Sequence, residues 1–416
     1  MNRNILVKFS SLAIPLSFIG LPIYINISDF YATKFNLSLA FLAISLFIIR
    51  IIDIFSDIVI GYISNILVSK NISRSYIINI SIIFLILFFY ALFNPPNFEN
   101  NNYYALWLVI TLTFTYIFFN IAVVNYETIA ALLAKNDYER INVNSSKELF
   151  AIIGFLIAAT SPYIFSNNSS KDIQNYQLMT IIFAIIAIVS LLIFSRIKYK
   201  EYKNYSSKKI NVLQSLKDRK FSKFLLIYII NALAISLPSA NIIFYARDIL
   251  NREKQIGLYL FIYFIAAGFS IYIWRYLINK YSLYKMWIIA IIFSILTFIF
   301  AFFLNEDNSQ LFILICIFTG FFLGPDLVAP PSIIAKLSNK SKYAASSYFS
   351  LYNMSTKLAI ALAATISLII LSFFDYEPDS QINNAKFIIP YLYALIPCSI
   401  RLFSIYLIIK YQKLWI

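Results

Sequence analysis

Three charged residues interrupt an apolar stretch of the sequence, RIIDIFSDIVIGYISN at residues 50–65. Arg50, Asp53 and Asp57 are separated by three and four residues, so they share one face if the stretch is an α-helix. A charged side chain at the centre of a membrane helix costs about 2.5 to 3.5 kcal/mol of insertion free energy. One acid and one base would suffice to pair two helices by an ion pair, so the second aspartate indicates a function rather than packing alone. Two carboxylates one turn apart can bind a monovalent cation or share a proton, and Arg50 can neutralise one of them.

A lysine lies deep within another apolar stretch, SYFSLYNMSTKLAIALAATISLII. Lys357 lies roughly 12 Å into this stretch, counting about eight or nine residues at 1.5 Å per residue. Its side chain does not reach the interface from that depth, so it needs a carboxylate partner or a functional reason for its charge, and we expect Asp57 as the partner. Arg275 and Arg401 also lie within spans, where snorkelling or structural pairing explains them, and we leave both out of the site.

Other polar residues lie within apolar stretches, namely Asn125 and Glu127 in VVNYETIAALL and Asp326 in GFFLGPDLVAPPSIIA. They are candidates to line a polar cavity within the membrane. Pro330 and Pro331 follow Asp326 closely and predict a break in that helix. The reason is that proline lacks a backbone N–H and frees carbonyl groups, which must then face protein or water.

The elements that must position these residues are membrane-spanning helices. The chain has 416 residues, 61% hydrophobic and 13% charged, and its repeated apolar runs exceed the roughly 18 residues that mark a spanning helix, which excludes a soluble protein. Cys316 and Cys398 lie within apolar runs and predict neither disulfides nor a metal site. We predict an all-α polytopic membrane protein with twelve transmembrane helices, near residues 8–31, 38–64, 75–94, 103–134, 146–167, 176–197, 223–249, 256–279, 286–304, 310–335, 345–373 and 388–410.

The longest polar segment, RIKYKEYKNYSSKKINVLQSLKDRKFSK, divides these helices into six and six. We expect an N-terminal six-helix bundle at 1–197, a basic cytoplasmic linker at 198–222 and a C-terminal six-helix bundle at 223–416. Lys and Arg concentrate at both termini and in the loops on the linker's side, Arg74 included, which predicts that both termini are cytoplasmic. Topology, rather than nucleic acid binding, then explains the net charge of +15. A weak internal repeat, Leu-Pro followed by Phe-Tyr-Ala, supports two related halves.

The stretch at residues 50–65 resembles the second-helix signature of the glycoside, pentoside and hexuronide:cation symporters, a branch of the major facilitator superfamily. That signature reads Arg, two residues, Asp, three residues, Asp-Pro, two residues, Gly, three residues, Asp. The chain matches it in register at Arg50, Asp53, Asp57 and Gly61 and departs from it at Ile58 and Asn65. Gly61 would let a neighbouring backbone approach this helix closely.

Three other segments are similar to the same family and occur in the same order. ERINVNSSKELFAIIGFLIAATSP resembles the segment leading into helix five, with Lys147 in place of the usual Arg. GPDLVAPPSIIAK resembles the tenth-helix motif, and YFSLYNMSTKLAIALAA the eleventh helix, including Lys357. The resemblance covers nearly the whole chain and implies the major facilitator fold, with two six-helix halves.

The resemblance also implies roles for individual residues. Asp53 and Asp57 would bind the coupling cation, Na⁺, Li⁺ or H⁺, with Arg50 and Lys357 beside them. The family's sugar-binding carboxylates in helices one and four are not matched, since Ser17 and Val124 occupy the aligned positions. The candidate substrate contacts that remain are Asn125, Glu127, Lys147 and Asp326.

We therefore expect a secondary transporter that couples symport of a small polar solute, such as a sugar or glycoside, to a cation. We expect no enzymatic reaction and no cofactor beyond that cation, a monomeric transport unit, and a multi-pass location in a bacterial inner membrane. One alternative is an intramembrane prenyltransferase with an Mg-binding Asp-x-x-x-Asp motif, which should show a second acidic pair on another helix. A non-transporting sensor derived from a transporter is a second alternative, which direct flux measurement would distinguish.

Overall fold

The computed structural model describes residues 3–20, 22–35, 37, 39–161, 173–197, 212–374 and 384–414, most of them helical. Ten helices in this part of the chain are long and apolar enough to cross a membrane. The prediction of an all-α polytopic membrane protein is confirmed. Residues 198–211 of the predicted linker and 162–167 of the predicted fifth helix lie outside the described ranges.

The chain divides into two compact units, and the first comprises Met1–Leu213 together with Ser338–Leu351. The predicted boundaries between the two bundles and the linker stay predictions. The helices of the first unit are α1 (Arg3–Ser10), α2 (Ala13–Phe18), a π-helical turn (Pro22–Asn26), α3 (Ile27–Phe35), α4 (Leu39–Ser69), α5 (Arg74–Phe93), α6 (Asn101–Leu133), α7 (Asp137–Thr160) and α8 (Ile173–Phe194).

The second unit comprises Gln214–Leu337 and Tyr352–Ile416. Its helices are α9 (Arg219–Asp248), α10 (Ile256–Lys280), α11 (Leu283–Phe298), α12 (Phe312–Lys340), α13 (Ala345–Phe373), α14 (Ile388–Pro390), a π-helical turn (Tyr391–Leu395) and α15 (Ile396–Tyr411). The last turn of α12 and the first turns of α13 belong to the first unit.

The first span is not the single helix predicted at 8–31, because α1, α2, a π-helical turn and α3 occupy this region. Pro15 lies within α2 and Pro22 begins the π-helical turn. Each proline removes a backbone donor from the helical ladder, which accounts for interruptions that hydropathy alone does not predict.

The fifth span begins earlier than the predicted residue 146, at Asp137 of α7. The Asn136 side chain accepts a hydrogen bond from the Glu139 N–H (2.8 Å), and the Glu139 carboxylate accepts one from the Lys135 N–H (2.9 Å). These reciprocal bonds resemble a capping box and satisfy donors at the start of the helix. Lys147 therefore lies well inside α7 rather than at its beginning.

Aromatic side chains fill much of the interior of the first unit. The ring of Phe18 on α2 lies 6.4 Å from that of Phe89 on α5 and 5.5 Å from that of Phe183 on α8. The rings of Phe89 and Phe183 are 4.7 Å apart, and all three side chains are fully buried. Within a bilayer, close packing of this kind holds helices together because lipid offers no hydrophobic driving force between them.

The prolines of α12 do not break it, so the break predicted at Pro330 and Pro331 is wrong. α12 runs without interruption from Phe312 to Lys340 and includes Pro325 as well. Pro325 cannot donate to the carbonyl of Phe321 four residues earlier, and the indole N–H of Trp274 on α10 donates to that carbonyl at 2.8 Å. A neighbouring helix thus replaces one of the lost backbone bonds.

Candidate functional site

Asp53 on α4 is surrounded by hydrogen-bond donors within the first unit. Its Oδ2 lies 3.2 Å from Arg50 Nη1, one turn earlier on the same helix. Its Oδ1 accepts a hydrogen bond of 2.7 Å from the side-chain amide of Asn120 on α6. The Asp53 side chain has no exposed surface. The predicted pairing of Arg50 with one of the two aspartates is confirmed.

Asp57 follows one turn later on α4 and is also buried, with 1% of its surface exposed. Carboxylate oxygens suit hard cations, but Na⁺ or Li⁺ also requires several further oxygen ligands. Among the described residues, no group of three or more His, Cys, Asp and Glu side chains could hold a metal ion. The assignment of the cation to these aspartates stays a prediction.

The stripe on α4 continues to a close helix contact at Gly61. A Cβ atom at this position would collide with the Ser350 side chain near the start of α13, within the first unit. The neighbour that approaches closely is thus a side chain rather than the predicted backbone. One turn further, the Asn65 side chain bonds to the hydroxyls of Ser346 and Ser347.

Arg74 is the first residue of α5 and only 1% exposed, so its assignment to a loop is wrong. Its guanidinium donates to the side-chain oxygens of Asn125 (2.9 Å) and Asn65 (3.2 Å). The amide group of Asn125 donates to Ser64 on α4 at 2.9 Å. Asn125, a predicted substrate contact, therefore joins α4, α5 and α6 in a buried polar network.

Glu127 and Lys147, both predicted substrate contacts, lie together between α6 and α7. Lys147 Nζ is 3.6 Å from Glu127 Oε1 and 3.2 Å from Glu148 Oε1. Lys147 and Glu127 are buried, and Glu148 is half-buried. The lysine thus lies between two carboxylates, and the three side chains form one buried to half-buried charged group.

Asp326 on α12 lies at the centre of a polar cluster within the second unit. Its Oδ1 accepts hydrogen bonds from Asn231 on α9 (3.0 Å) and from the indole of Trp287 on α11 (2.7 Å). Its Oδ2 pairs with Arg401 on α15, and Arg401 also donates to Ser294 on α11 at 2.6 Å. The structural pairing expected for Arg401 is confirmed. Because three donors already use the Asp326 carboxylate, it is a less accessible substrate contact than sequence position suggests.

The structure thus brings the predicted residues together as two pairs within the first unit, Arg50 with Asp53 and Glu127 with Lys147. Lys357 is half-buried on α13 in the second unit, and its pairing with Asp57 stays a prediction. Sequence reasoning left out three residues that organise these groups, Asn120, Arg74 and Arg401. The available signal for Asn120 was a lone amide within an apolar run, and for Arg401 a charge within a span.

A family model described as MFS/sugar transport protein matches residues 8–412, nearly the whole chain. The chain belongs to this family of the major facilitator superfamily. It is therefore a multi-pass membrane transporter with a small-molecule substrate, not an enzyme, and the intramembrane prenyltransferase alternative is excluded. A search of the curated proteins found no significant match.

Solved transporter structures are similar to this chain along almost their full length. A variant of the E. coli fucose:proton symporter has a TM-score of 0.66 at 14% identity, covering 96% of this chain and 98% of its own. For a bacterial homologue of the iron transporter ferroportin, the TM-score is 0.71 at 14% identity, and the match covers 99% of this chain and 100% of that protein. For the proton:xylose symporter bound to 6-bromo-6-deoxy-D-glucose, the TM-score is 0.69 at 12% identity, and the match covers 99% of this chain and 98% of that protein. These likenesses establish the major facilitator fold.

Proposed function

We propose that this protein is a cation-coupled symporter that moves a small polar solute, such as a sugar or glycoside, by alternating access. The observation that carries the proposal is the buried stripe on α4, where Asp53 and Asp57 lie one turn apart with Arg50 beside Asp53. Two carboxylates in an apolar helix are costly unless they are used, and the family is one of sugar transport. Two structurally similar proteins are proton symporters, of fucose and of xylose, which supports coupling to a cation.

Coupling to one cation supplies enough energy to concentrate a neutral solute. One elementary charge that moves down 100 mV releases about 2.3 kcal/mol, which corresponds to roughly fifty-fold accumulation. In the proposed cycle, cation binding at α4 favours the conformation that binds solute, and the loaded protein then changes its access. No ATP is required for this cycle.

The remaining assignments complete the proposal. Lys357 acts with the α4 aspartates in coupling, and the substrate contacts include Glu127 and Lys147, which form an ion pair. Asn125 and Asp326 contribute through the polar networks that they organise. The protein lies in a bacterial inner membrane with both termini in the cytoplasm, as the distribution of Lys and Arg predicts.

The experiment has two stages. A ligand-stabilisation screen of the purified protein, with sugars and organic acids and with and without Na⁺ at several pH values, identifies a substrate. Uptake of that substrate into proteoliposomes is then compared for the wild type, Asp57→Asn and Asp307→Asn. We expect Asp57→Asn to lose cation-driven accumulation but to retain exchange, because exchange needs no net movement of the cation.

Asp307→Asn is the matched control, because Asp307 is an exposed carboxylate outside the helices, and it should accumulate substrate as the wild type does. If Asp57→Asn concentrates the substrate equally well, the cation is not coupled through this stripe. Substrate binding with no flux in the wild type would instead support the non-transporting sensor.

A further inference from the structure

We propose that the end of the second unit where α9 begins and α15 ends binds an anionic phospholipid, whose headgroup Lys223 and Lys410 contact beside the ring of Tyr411. Lys410 is exposed, and Lys223 and Tyr411 are half-buried. This lipid is a ligand in addition to the transported solute. Its binding depends neither on the identity of that solute nor on the coupled ion.

Basic residues are concentrated where these two helices lie side by side. Residues 217–223 contain four basic side chains and one acidic side chain, that of Asp218, and residues 402–416 contain two basic side chains and no acidic one. The Asp218 carboxylate caps α9 by accepting a hydrogen bond of 3.0 Å from the Lys220 N–H. This end of the second unit therefore has an excess of positive charge and attracts anions.

The ring of Tyr411 brings basic groups of both helices together. Lys223 Nζ on α9 lies 4.4 Å from the centre of this ring, and Lys410 Nζ on α15 lies 5.5 Å from it. Because both distances are measured to one ring, the two ammonium groups lie within about 10 Å of each other. An anion bound beside both groups would offset the repulsion between them.

The first turns of α9 favour an anion at the same place. Three of the first five residues of this helix are basic, namely Arg219, Lys220 and Lys223. The positive end of the helix macrodipole lies there, so positive side chains are unfavourable and negative groups are stabilised. A phosphate group at this end would interact favourably with both the helix and the basic side chains.

Exposed apolar side chains continue from the lysines along the same two helices. On α15, Leu402, Tyr406 and Ile409 are exposed and share one face, because they are four and three residues apart. On α9, Leu226 is exposed about one turn after Lys223. An apolar helix surface with basic groups at one end suits a lipid, whose acyl chains lie along the helices while its headgroup contacts the lysines. A soluble anion would use the basic groups alone, so the apolar surface favours the lipid.

The test compares lipids that differ in headgroup charge. The full-length protein in a neutral detergent is titrated with phosphatidylglycerol or with phosphatidylcholine of the same acyl chains, at constant ionic strength, and thermal unfolding is measured. Inorganic phosphate is titrated separately. The variant is Lys223→Gln/Lys410→Gln. The matched control, Lys280→Gln/Lys285→Gln, removes two exposed lysines between α10 and α11, one of which also lies against a tyrosine ring, at 5.4 Å.

We expect phosphatidylglycerol to raise the unfolding temperature at a half-saturating mole fraction about tenfold or more below that of phosphatidylcholine. Lys223→Gln/Lys410→Gln should raise the half-saturating fraction of phosphatidylglycerol about tenfold or more, since each lysine near an anionic headgroup contributes to binding, and the control should stay within about twofold of the wild type. Equal half-saturation by the two lipids, or an unchanged response of Lys223→Gln/Lys410→Gln, would overturn the proposal. Stabilisation by inorganic phosphate equal to that by phosphatidylglycerol would show a site for soluble anions and overturn the assignment to a lipid.

Tyr411 provides a second test, which decides the question if the double lysine variant does not fold. Tyr411→Phe retains the aromatic face that both ammonium groups contact, so its response to phosphatidylglycerol should match that of the wild type. Tyr411→Leu removes this face and should raise the half-saturating fraction about threefold or more. A Tyr411→Leu variant that responds as the wild type does would overturn the proposed geometry of the site.

Discussion

Asp326 and Arg401 form a buried ion pair within the second unit. In the first unit, Phe18, Phe89 and Phe183 from the first, third and sixth spans pack against one another. In the second unit, spans at corresponding positions contribute polar groups that surround the ion pair. Since buried ion pairs are poor sources of net stability, an apolar solution would hold helices equally well. The pair is therefore costly to break.

At the residue scale, this predicts strong coupling between Asp326→Asn and Arg401→Met. Each single change leaves a buried charge without its partner, and we expect a loss on the order of 3 to 5 kcal/mol. The double change removes both charges, so its cost should fall below the sum of the single changes by more than about 1 kcal/mol. Thermal unfolding in detergent measures all three variants. The control combines Asp326→Asn with Lys410→Met, since Lys410 is an exposed basic residue on α15, the helix of Arg401. The stability losses of these two changes should be additive.

The sequence identified the charged residues of the site but only some of their partners. Asp53, Asp57 and Asp326 are conspicuous because carboxylates are costly in apolar helices. Their neutral partners are not, since Asn120 lies 67 residues from Asp53 in the sequence and amides are ordinary in this chain. Only helix packing decides which of them faces a carboxylate. Arg74 illustrates the reverse error, because a basic residue beside a loop does not reveal its burial.

At the element scale, α12 remains helical across three prolines, and a neighbouring helix replaces the hydrogen bond that Pro325 removes. Gly324, beside Pro325, has no room for a Cβ atom, which would lie 2.7 Å from Ser270 Oγ and 2.9 Å from Trp274 Cδ1. α10 thus approaches α12 closely enough for the Trp274 indole to reach the Phe321 carbonyl at 2.8 Å. Gly324 and Pro325 therefore act together. Gly324 lets α10 approach α12 closely, and Pro325 leaves the Phe321 carbonyl without a backbone donor, which the Trp274 indole replaces.

This arrangement predicts that the effect of Trp274→Phe depends on Pro325. Trp274→Phe leaves the Phe321 carbonyl without its indole donor, which should cost about 0.6 to 1.7 kcal/mol, as interhelical hydrogen bonds do in membranes. With Pro325→Ala, residue 325 supplies the backbone N–H that this carbonyl needs, so Trp274→Phe should then cost less. Thermal unfolding of the four proteins in detergent tests the cycle.

Pro330→Ala is the matched control for this cycle, because the N–H that it introduces faces the carbonyl of residue 326 rather than that of Phe321. Trp274→Phe should cost the same with and without Pro330→Ala. An equal cost of Trp274→Phe in the Pro325→Ala background would contradict the proposed role of the indole as a replacement donor.

At the scale of the whole molecule, hydropathy located most spans well and the start of the fifth span poorly. The helices α4, α5, α6 and α10 begin and end within a few residues of the predicted limits or extend them by about one turn. α7 begins nine residues before its predicted start at 146, because its first turns are polar and leave no trace in a hydropathy profile. Capping by Asn136 fixes that start, and a reading of caps together with hydropathy would have found it.

The orientation of the molecule depends on charges in loops rather than on apolar length. Lys and Arg concentrate at both termini and around the linker, and positive residues are retained on the cytoplasmic side during insertion. The burial of Arg74 removes one residue from that asymmetry but leaves the large basic linker, so the predicted orientation is unchanged. Reporter fusions after Lys203 and Lys413 should therefore read cytoplasmic, while fusions after Asn97 and Asn308, in loops of the opposite side, should read external. An external signal at Lys203 or a cytoplasmic signal at Asn308 would contradict the arrangement of six spans on each side of the linker, because an even number of crossings must separate the linker from both termini.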